Sequence, residues 1–443
     1  MSTVLLWLRN DLRLHDNLAL HRALALAATG EGTPHLIPVV VLPDVHEASP
    51  WGPLRWGPQR RAWRASAIRD LAAQLDALGC PLAVCAGPPA TALPRLAQRA
   101  SAQQLVCEDI PAPEEALEVA DLRRAGLTVH AVWHSSLLEP AELPWQESRL
   151  PAVFTAFRQA IERAGIQPRQ PLPAPQTLPP WPPGVELPPE LKGDLDAFAG
   201  DVVISAQDSR SSLPMPAPGS GMEPGGERAA LAHLTQYLAR GLPHSYKRTR
   251  NGLTGVDFSS KWSPALACGA LSARRIMADL RQFESFHGAS DGSYWLWFEL
   301  LWRDHFRFLH RQHGARLFRG RGLSDQPVAA HNARGYTRWC EGRTGWPLVD
   351  AAMRELAATG SLSNRLRQVV ASVLVHDLGG DWRAGAAWFE HCLVDFDVCS
   401  NQGNWLYIAG RGTDPRGGRR MNVDKQAAEH DPHSHYRQMW STA

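Results

Sequence analysis

Five polar side chains set among long apolar runs carry the chemical interest of this 443-residue sequence. Between Ser363 and Tyr407, the residues Asn364, Arg367, Asp395, Asp397 and Asn401 alternate with hydrophobic segments, and Trp382, Trp388 and Trp405 lie among them. Buried polar and charged groups are costly unless something pairs with them. Asn364, Arg367 and Gln368 share one helix face through i,i+3 and i,i+4 spacing, and Asp397, Asn401 and Trp405 share one if their segment is helical. Two readings fit: a pocket for a large polar cofactor enclosed by helices, or a polar cluster that ties helices together.

Two clusters upstream add to this. Tyr246, Lys247, Arg248 and Arg250 precede Ser259, Ser260, Lys261 and Ser263, which lead into a helix expected to be capped near Ser263 with Pro264 in its first turn. Capping accounts for one serine, whereas three hydroxyls with Lys261 suit a pyrophosphate. Farther on, Glu299, Trp302 and Arg303 place carboxylate, indole and guanidinium on one helical face. They read either as a Glu299–Arg303 ion pair beside a core tryptophan, or as a site where Glu299 hydrogen-bonds a substrate against the flat wall of Trp302.

The elements that must position these groups follow from patterning. Short apolar runs at residues 4–8, 35–43, 81–87, 103–109 and 127–133 alternate with helical stretches, which predicts a doubly wound α/β domain with a parallel sheet over residues 1–133. Such sheets bind ligands at the carboxyl ends of their strands, yet no GxGxxG follows the first strand, so a Rossmann dinucleotide site is not expected. The loop Asn10, Asp11, Arg13, His15, Asp16 either fixes the strand exit by mutual hydrogen bonds or touches a ligand. Residues 134–226 form a connector: ten prolines fall between 168 and 189, and 205–226 is a second loop rich in proline, glycine and serine. From Glu227 to Ala443 apolar positions recur at three and four residues, which predicts an all-α domain. Nine of the 17 tryptophans lie beyond residue 290, but core packing alone would explain them.

Composition bounds the function. A hydrophobic fraction of 44% with 20% charged residues is that of an ordinary globular protein and argues against disorder. The net charge of +2 is uneven, because residues 229–443 hold 27 Lys and Arg against 19 Asp and Glu. That excess suits a phosphate-bearing partner or an acidic cofactor. Seven cysteines have neither zinc-site spacing nor the density of a secreted scaffold, so no metal is expected and a reducing cytoplasm is the expected compartment. No apolar run reaches membrane-spanning length, and Arg9 and Asp11 come too early for a secretory signal.

The segments WLRNDLRLHDNLAL, YKRTRNGLTGVDFSSKWSPALACG, WFELLWRDHFRF, RTGWPLVDAAMRELAATGSLSNRLRQVVASVLVHDLGGDW and LVDFDVCSNQGNWLYIAG resemble, in order, the photolyase and cryptochrome family. RNGLTGVDFSSK, FELLWRD, SNRLRQ with Gln368 and NWLY with Tyr407 are most similar to the DASH cryptochromes. The resemblance implies an N-terminal α/β antenna domain, a long connector, and a helical domain that binds FAD and DNA lesions. Tyr246, Ser259, Ser260, Trp262 and Ser263 would surround the pyrophosphate and ribityl region; Arg303, Asn364, Arg367, Asp395, Asp397 and Asn401 would surround the flavin and its linker. The implied reaction is light-driven repair of cyclobutane pyrimidine dimers, chiefly in single-stranded DNA, by electron transfer from excited reduced flavin. Glu299 would hydrogen-bond the lesion, Trp302 and Tyr407 would flank it, Asn364 and Gln368 would complete the catalytic set, and Arg365 would reach its phosphate. A monomer with no obligate protein partner is expected.

The sequence departs from the family pattern in three places. Trp405 and Trp382 match the first two members of an electron-transfer chain of three tryptophans, but Ala329 stands where the outermost belongs. Ser361 replaces an aromatic residue on the flavin side of the pocket. Cys107, Glu108 and Asp109 match only loosely the loop that would hold a folate antenna such as methenyltetrahydrofolate. Two other functions compete: a blue-light signalling cryptochrome, expected to carry a C-terminal tail where this chain ends at Ala443, and a flavin oxidoreductase, for which no substrate base or nicotinamide site is found.

Overall fold

The computed structural model describes residues 2–30, 32–146, 149–202 and 210–441; residues 205–209 of the second expected loop and 442–443 at the end of the helical segment lie outside the described residues. The aliphatic runs form five strands, β1 (Ser2–Trp7), β2 (Pro34–Leu42), β3 (Ala83–Ala86), β4 (Gln104–Glu108) and β5 (Thr128–Val132). They pair in the order β3-β2-β1-β4-β5, all parallel. Parallel neighbours need crossovers, supplied by α1 (Leu18–Thr29), α2 (Pro58–Ala77), α3 (Pro89–Arg99) and α4 (Pro113–Arg124). Proline opens α2, α3 and α4, where its missing N–H would have had no partner in the helix anyway. Alternation along β1 divides the core. Leu5 and Trp7 pack with Leu93, Leu96 and Leu122 of α3 and α4, whereas Val4 and Leu6 join α1, α2 and the apolar interior of the C-terminal half in one continuous cluster.

The connector has more structure than its prolines suggest. It holds α5 (Phe154–Arg163) and the short α6 (Leu195–Ala199), while residues 171–188 run without helix or strand. Gly193 donates its N–H to Val84 O at 2.8 Å and Lys192 bridges to Cys85, so the connector covers the free edge of β3.

The C-terminal half is helical: α7 (Glu227–Ala239), α8 (Tyr246–Thr249), α9 (Ser263–Cys268), α10 (Ala273–His287), α11 (Asp291–His313), α12 (Ala333–Cys340), α13 (Pro347–Thr359), α14 (Asn364–His376), α15 (Trp382–Cys392), α16 (Val398–Ala409), α17 (Val423–His430) and α18 (His435–Met439). The longest, α11, starts in a capping box in which Ser290 and Ser293 exchange hydrogen bonds, and it packs against α5, α8, α10 and α16.

The carboxyl ends of β1 and β4 are occupied by protein. Glu108, at the end of β4, accepts from Arg307 of α11 and from the Asn10 amide, both at 3.2 Å, and Arg64 donates to Arg9 O at 3.0 Å. The polar loop after β1 ties the two halves together. Asp16 accepts from Arg274 of α10 at 3.0 Å and from Arg169 of the connector at 2.9 Å, and Glu227 accepts the Leu14 amide at 2.8 Å and pairs with His15. Of the three folate-loop candidates, Cys107 and Glu108 are buried and Asp109 is half-exposed beside Arg311. Among the described residues no helix is long and apolar enough to cross a membrane, and no group of three His, Cys, Asp or Glu could hold a metal.

Candidate functional site

A cavity of about 540 Å³ opens among α8, α9, α11, α14 and α16, within the size range of ligand pockets. Tyr246, Ser259, Ser260, Trp262, Ser263, Arg303, Asn364, Arg367, Asp395, Asp397 and Asn401 all line it, as do Glu299, Trp302, Gln368, Trp405, Tyr407 and Ser361. Trp382 and Arg365 do not. Trp382 is buried in α15 and donates its indole N–H to Gly320 O at 3.0 Å. Arg365 is half-buried, with Gln368 Oε1 and Asn251 Oδ1 each 3.4 Å from its guanidinium.

The polar wall is held by its own hydrogen bonds. Helix α14 starts at Asn364 because the Ser363 side chain accepts the Leu366 amide. One turn on, Arg367 donates to both Asp395 oxygens at 3.0 and 2.8 Å and to Leu362 O at 2.9 Å. Asp397 is the N-cap of α16, accepting the Ser400 amide at 2.7 Å. Burial alone would push its carboxyl up, but Arg303 and Arg307 beside it, with the Ser400 amide, hold it below the usual carboxylate range. Asn401 donates from its amide to Ala386 O at 3.0 Å.

The serine cluster differs from the expectation in one respect. Helix α9 begins at Ser263 itself, and its N-cap is Trp262, which makes no side-chain cap bond. Ser263 is therefore not the cap. Pro264 in the first turn sets the helix start in its place. Ser259 (φ 61°) and Lys261 (φ 56°) adopt left-handed backbone on either side of Ser260. Left-handed residues beside right-handed ones form backbone concavities that bind anions, and such strain in non-glycine residues gathers at ligand sites. Burial lowers the Lys261 ammonium to about 7.

Of the two readings of this cluster, the Glu299–Arg303 ion pair does not form. Glu299 Oε1 lies 2.5 Å from Arg250 Nη1, and the Arg250 guanidinium sits 4.5 Å from the centre of the Trp295 ring. Arg303 instead donates to the carbonyls of Ser135 and Leu266 and approaches Asp397 at 3.9 Å. Helical spacing put Arg303 on the Glu299 face, but α8 brings Arg250 closer. Burial raises the Glu299 carboxyl, and Arg250 only partly offsets that. Trp302 and Tyr407 meet edge-on at 6.1 Å across the cavity mouth.

Several residues at this site were not singled out from the sequence. Phe154 of α5 stacks on Trp302 with centroids 3.8 Å apart, fixing the indole plane. The amphipathic VFTAFRQAI within the connector was the available signal. Arg416 and Arg419, in the loop after α16, both donate to the Tyr407 hydroxyl, and Arg419 lies 4.9 Å from its ring centre. The density of arginine in GRGTDPRGGRR was the clue.

The chain is similar to known proteins over nearly all its length. Residues 4–176 match the family model described as DNA photolyase, and residues 295–442 match the FAD binding domain of DNA photolyase. Cryptochrome DASH of Synechocystis is 40% identical over 99% of this chain and 87% of its own length. Cryptochrome DASH of Xenopus laevis is 38% identical over 98% of this chain and 81% of its own length. A crystal structure of a Synechocystis cryptochrome superposes with a TM-score of 0.91 at 39% identity, covering 99% of this chain and 88% of that one. A bacterial class III photolyase from Agrobacterium tumefaciens gives a TM-score of 0.78 at 27% identity, covering 99% and 86%.

Proposed function

This chain belongs to the DASH cryptochromes, and from that premise we propose that it repairs cyclobutane pyrimidine dimers in ultraviolet-damaged DNA, preferentially single-stranded, using FAD in the helical cavity and light. The observation that carries this reading is the junction of two sites in one cavity. The polar wall from Arg367 to Asn401 opens directly onto Glu299, Trp302 and Tyr407.

FAD suits the cavity on grounds of chemistry. The Trp262 and Trp405 indole nitrogens on its wall are buried with no partner in the protein. The left-handed backbone at Ser259 and Lys261, with the hydroxyls of Ser259, Ser260 and Ser263, suits a diphosphate. Tyr246 and Trp262 would close over that end, while Asn364, Arg367, Asp395, Asp397 and Asn401 would hold the ring system and its linker. Arg303 would act by fixing Asp397. When bound and reduced, FAD supplies a light-excitable one-electron donor.

The protein's part is to present the lesion. A dimer must leave the base stack to reach a recessed site, and a single strand spares the cost of unpairing, which underlies the proposed preference. Glu299 accepts a hydrogen bond from a base N–H of the dimer. Trp302, braced by Phe154, and Tyr407, braced by Arg416 and Arg419, flank it. Asn364 and Gln368 line the floor, and Arg365 at its edge takes the phosphate. Trp405, on the cavity wall, would pass electrons to the cofactor, whereas Trp382, the second member of the chain by resemblance, lies off that wall.

We extend the proposal to three modules, with an antenna domain at 1–133, a connector at 134–226 and a cofactor- and lesion-binding domain at 227–443. A monomer located in the cytoplasm, with no obligate protein partner, completes it. A folate antenna bound by the α/β domain near Asp109 is proposed; release of flavin alone from the denatured protein would remove it. The main test is blue-light irradiation of the FAD-loaded, chemically reduced protein with a thymine dimer in single-stranded and in duplex DNA. Light-dependent return of intact thymine, faster on the single strand, is expected; no return on either refutes repair.

A further inference from the structure

A string of aromatic rings leads from the cavity wall to the surface without passing through Trp382. Trp405, on the wall, meets Trp339 of α12 edge-on at 6.2 Å. Trp339 is fully buried, its indole N–H donated to Val370 O at 2.9 Å, and it lies near-parallel to Tyr336 at 6.3 Å. Tyr336 meets His331 at 5.5 Å, and His331 meets Trp51 edge-on at 5.2 Å. Trp51 belongs to the loop after β2 and is half-exposed, so the string crosses from the helical domain to the α/β domain and ends at solvent.

The alternative exit is poorer. Among the described residues, Trp405 has ring contacts with Trp339 and Phe389 and none with Trp382. Ala329, which stands where the family's outermost tryptophan belongs, is exposed and offers no ring. Electron transfer slows exponentially with the gap between redox groups, so a series of short gaps outruns one long one. At the outer end, the Arg383 guanidinium lies 5.2 Å from the Trp51 ring, but its pairing with Asp381 at 2.7 Å offsets its charge, which would otherwise oppose oxidation of the indole.

We propose that Trp339 and Trp51, with Tyr336 and His331 as the bridge between them, carry electrons from solution to Trp405. The inference rests on the flavin reading of the cavity. Light absorbed at the cavity draws one electron from the Trp405 ring. The vacancy then passes to Trp339 and, across the rings of Tyr336 and His331, which keep their protons, to Trp51. Trp51 loses its indole proton to water and regains a hydrogen atom from a small thiol, and two such thiols end as one disulfide. No bond of the protein is broken.

The test illuminates the full-length FAD-loaded protein in the oxidised state with a thiol, following cofactor reduction optically and the amino-acid radical by electron paramagnetic resonance. Trp51→Phe and Trp339→Phe are expected to lose accumulation of reduced cofactor, and Trp51→Phe to lose the long-lived tryptophanyl radical. Trp51→Tyr, which keeps an oxidisable ring at the surface, is expected to restore accumulation. Retention of photoreduction in Trp51→Phe or in Trp339→Phe overturns the proposal, most plainly if Trp382→Phe alone abolishes it. Trp339 is in the core, so each variant is scored only after its FAD content and its repair after chemical reduction match the parent. Failure of the parent to bind FAD would instead count against the cavity reading.

Discussion

Replacing Glu299 with alanine should cost lesion recognition while sparing cofactor retention. Glu299 Oε1 is buried and lacks a well-aligned hydrogen bond, although Arg250 approaches to 2.5 Å. The side chain as a whole keeps 29% exposure, so the pair is partly screened and the cost of breaking a fully buried ion pair does not apply. The relevant quantity is a hydrogen bond to a charged acceptor, about 1.5–3 kcal/mol. At about 1.4 kcal/mol per tenfold, Glu299→Ala should weaken dark binding of a dimer-containing single strand roughly 10- to 100-fold. Binding of the undamaged strand should not change, because phosphate contacts do not involve Glu299. The assay is fluorescence anisotropy of paired damaged and undamaged oligonucleotides with FAD-loaded protein, checked by flavin absorbance. pH supplies a second handle. Burial raises the Glu299 carboxyl, so it takes up its proton, and loses acceptor capacity, at a higher pH than an ordinary glutamate. Dimer preference in the parent should therefore fall on acidification before the ordinary carboxylate range is reached, and the alanine variant should show no such step. Equal weakening on both strands, or none on either, would refute the role given to Glu299.

Three further outcomes are expected. Lys261, lowered by burial to about 7, should regain its proton beside a diphosphate, so FAD affinity should decline as pH rises through about 7, and Lys261→Met should flatten that dependence; an unchanged slope in titration calorimetry would separate Lys261 from the diphosphate. Asp16 is desolvated, but Arg274, Arg13 and Arg169 hold its carboxyl far below its ordinary 3.8; its stabilisation is complete above that value and is lost as pH falls below it. Asp16→Ala, which strands the buried Arg274, should cost about 3–5 kcal/mol in denaturant unfolding and remove that acid-side loss. Arg416→Ala with Arg419→Ala should reduce the salt slope of single-strand binding by about 1.4, from two lost phosphate contacts, and lower repair yield by freeing Tyr407; an unchanged slope would confine both arginines to bracing the tyrosine.

Much of the architecture was legible from local pattern. Short apolar runs separated by crossover-length helical segments marked all five strands of the parallel sheet, and three-four periodicity marked α7, α10, α11, α13 and α14. The polar wall was legible for the same reason. Asn364 and Arg367, or Asp397 and Asn401, lie within about one helical turn of each other, and a helix fixes which of its residues share a face. The family resemblance added which ligand such a wall suits.

Contacts between elements distant in the chain were not legible. Spacing paired Glu299 with Arg303, four residues away, yet the docking of α8 on α11 delivers Arg250 instead. Nothing local could show that Phe154, inside a proline-rich connector, would lie on Trp302, or that Trp51 of the α/β domain would meet His331 of the helical domain. The polar loop from Asp11 to Asp16 kept two readings until tertiary packing brought Arg274, Arg169 and Glu227 to it. Backbone geometry within one element is set by neighbours a few residues apart, and so is written in the sequence. The choice of which faces meet depends on the joint burial of many distant apolar surfaces, and only the folded chain decides it.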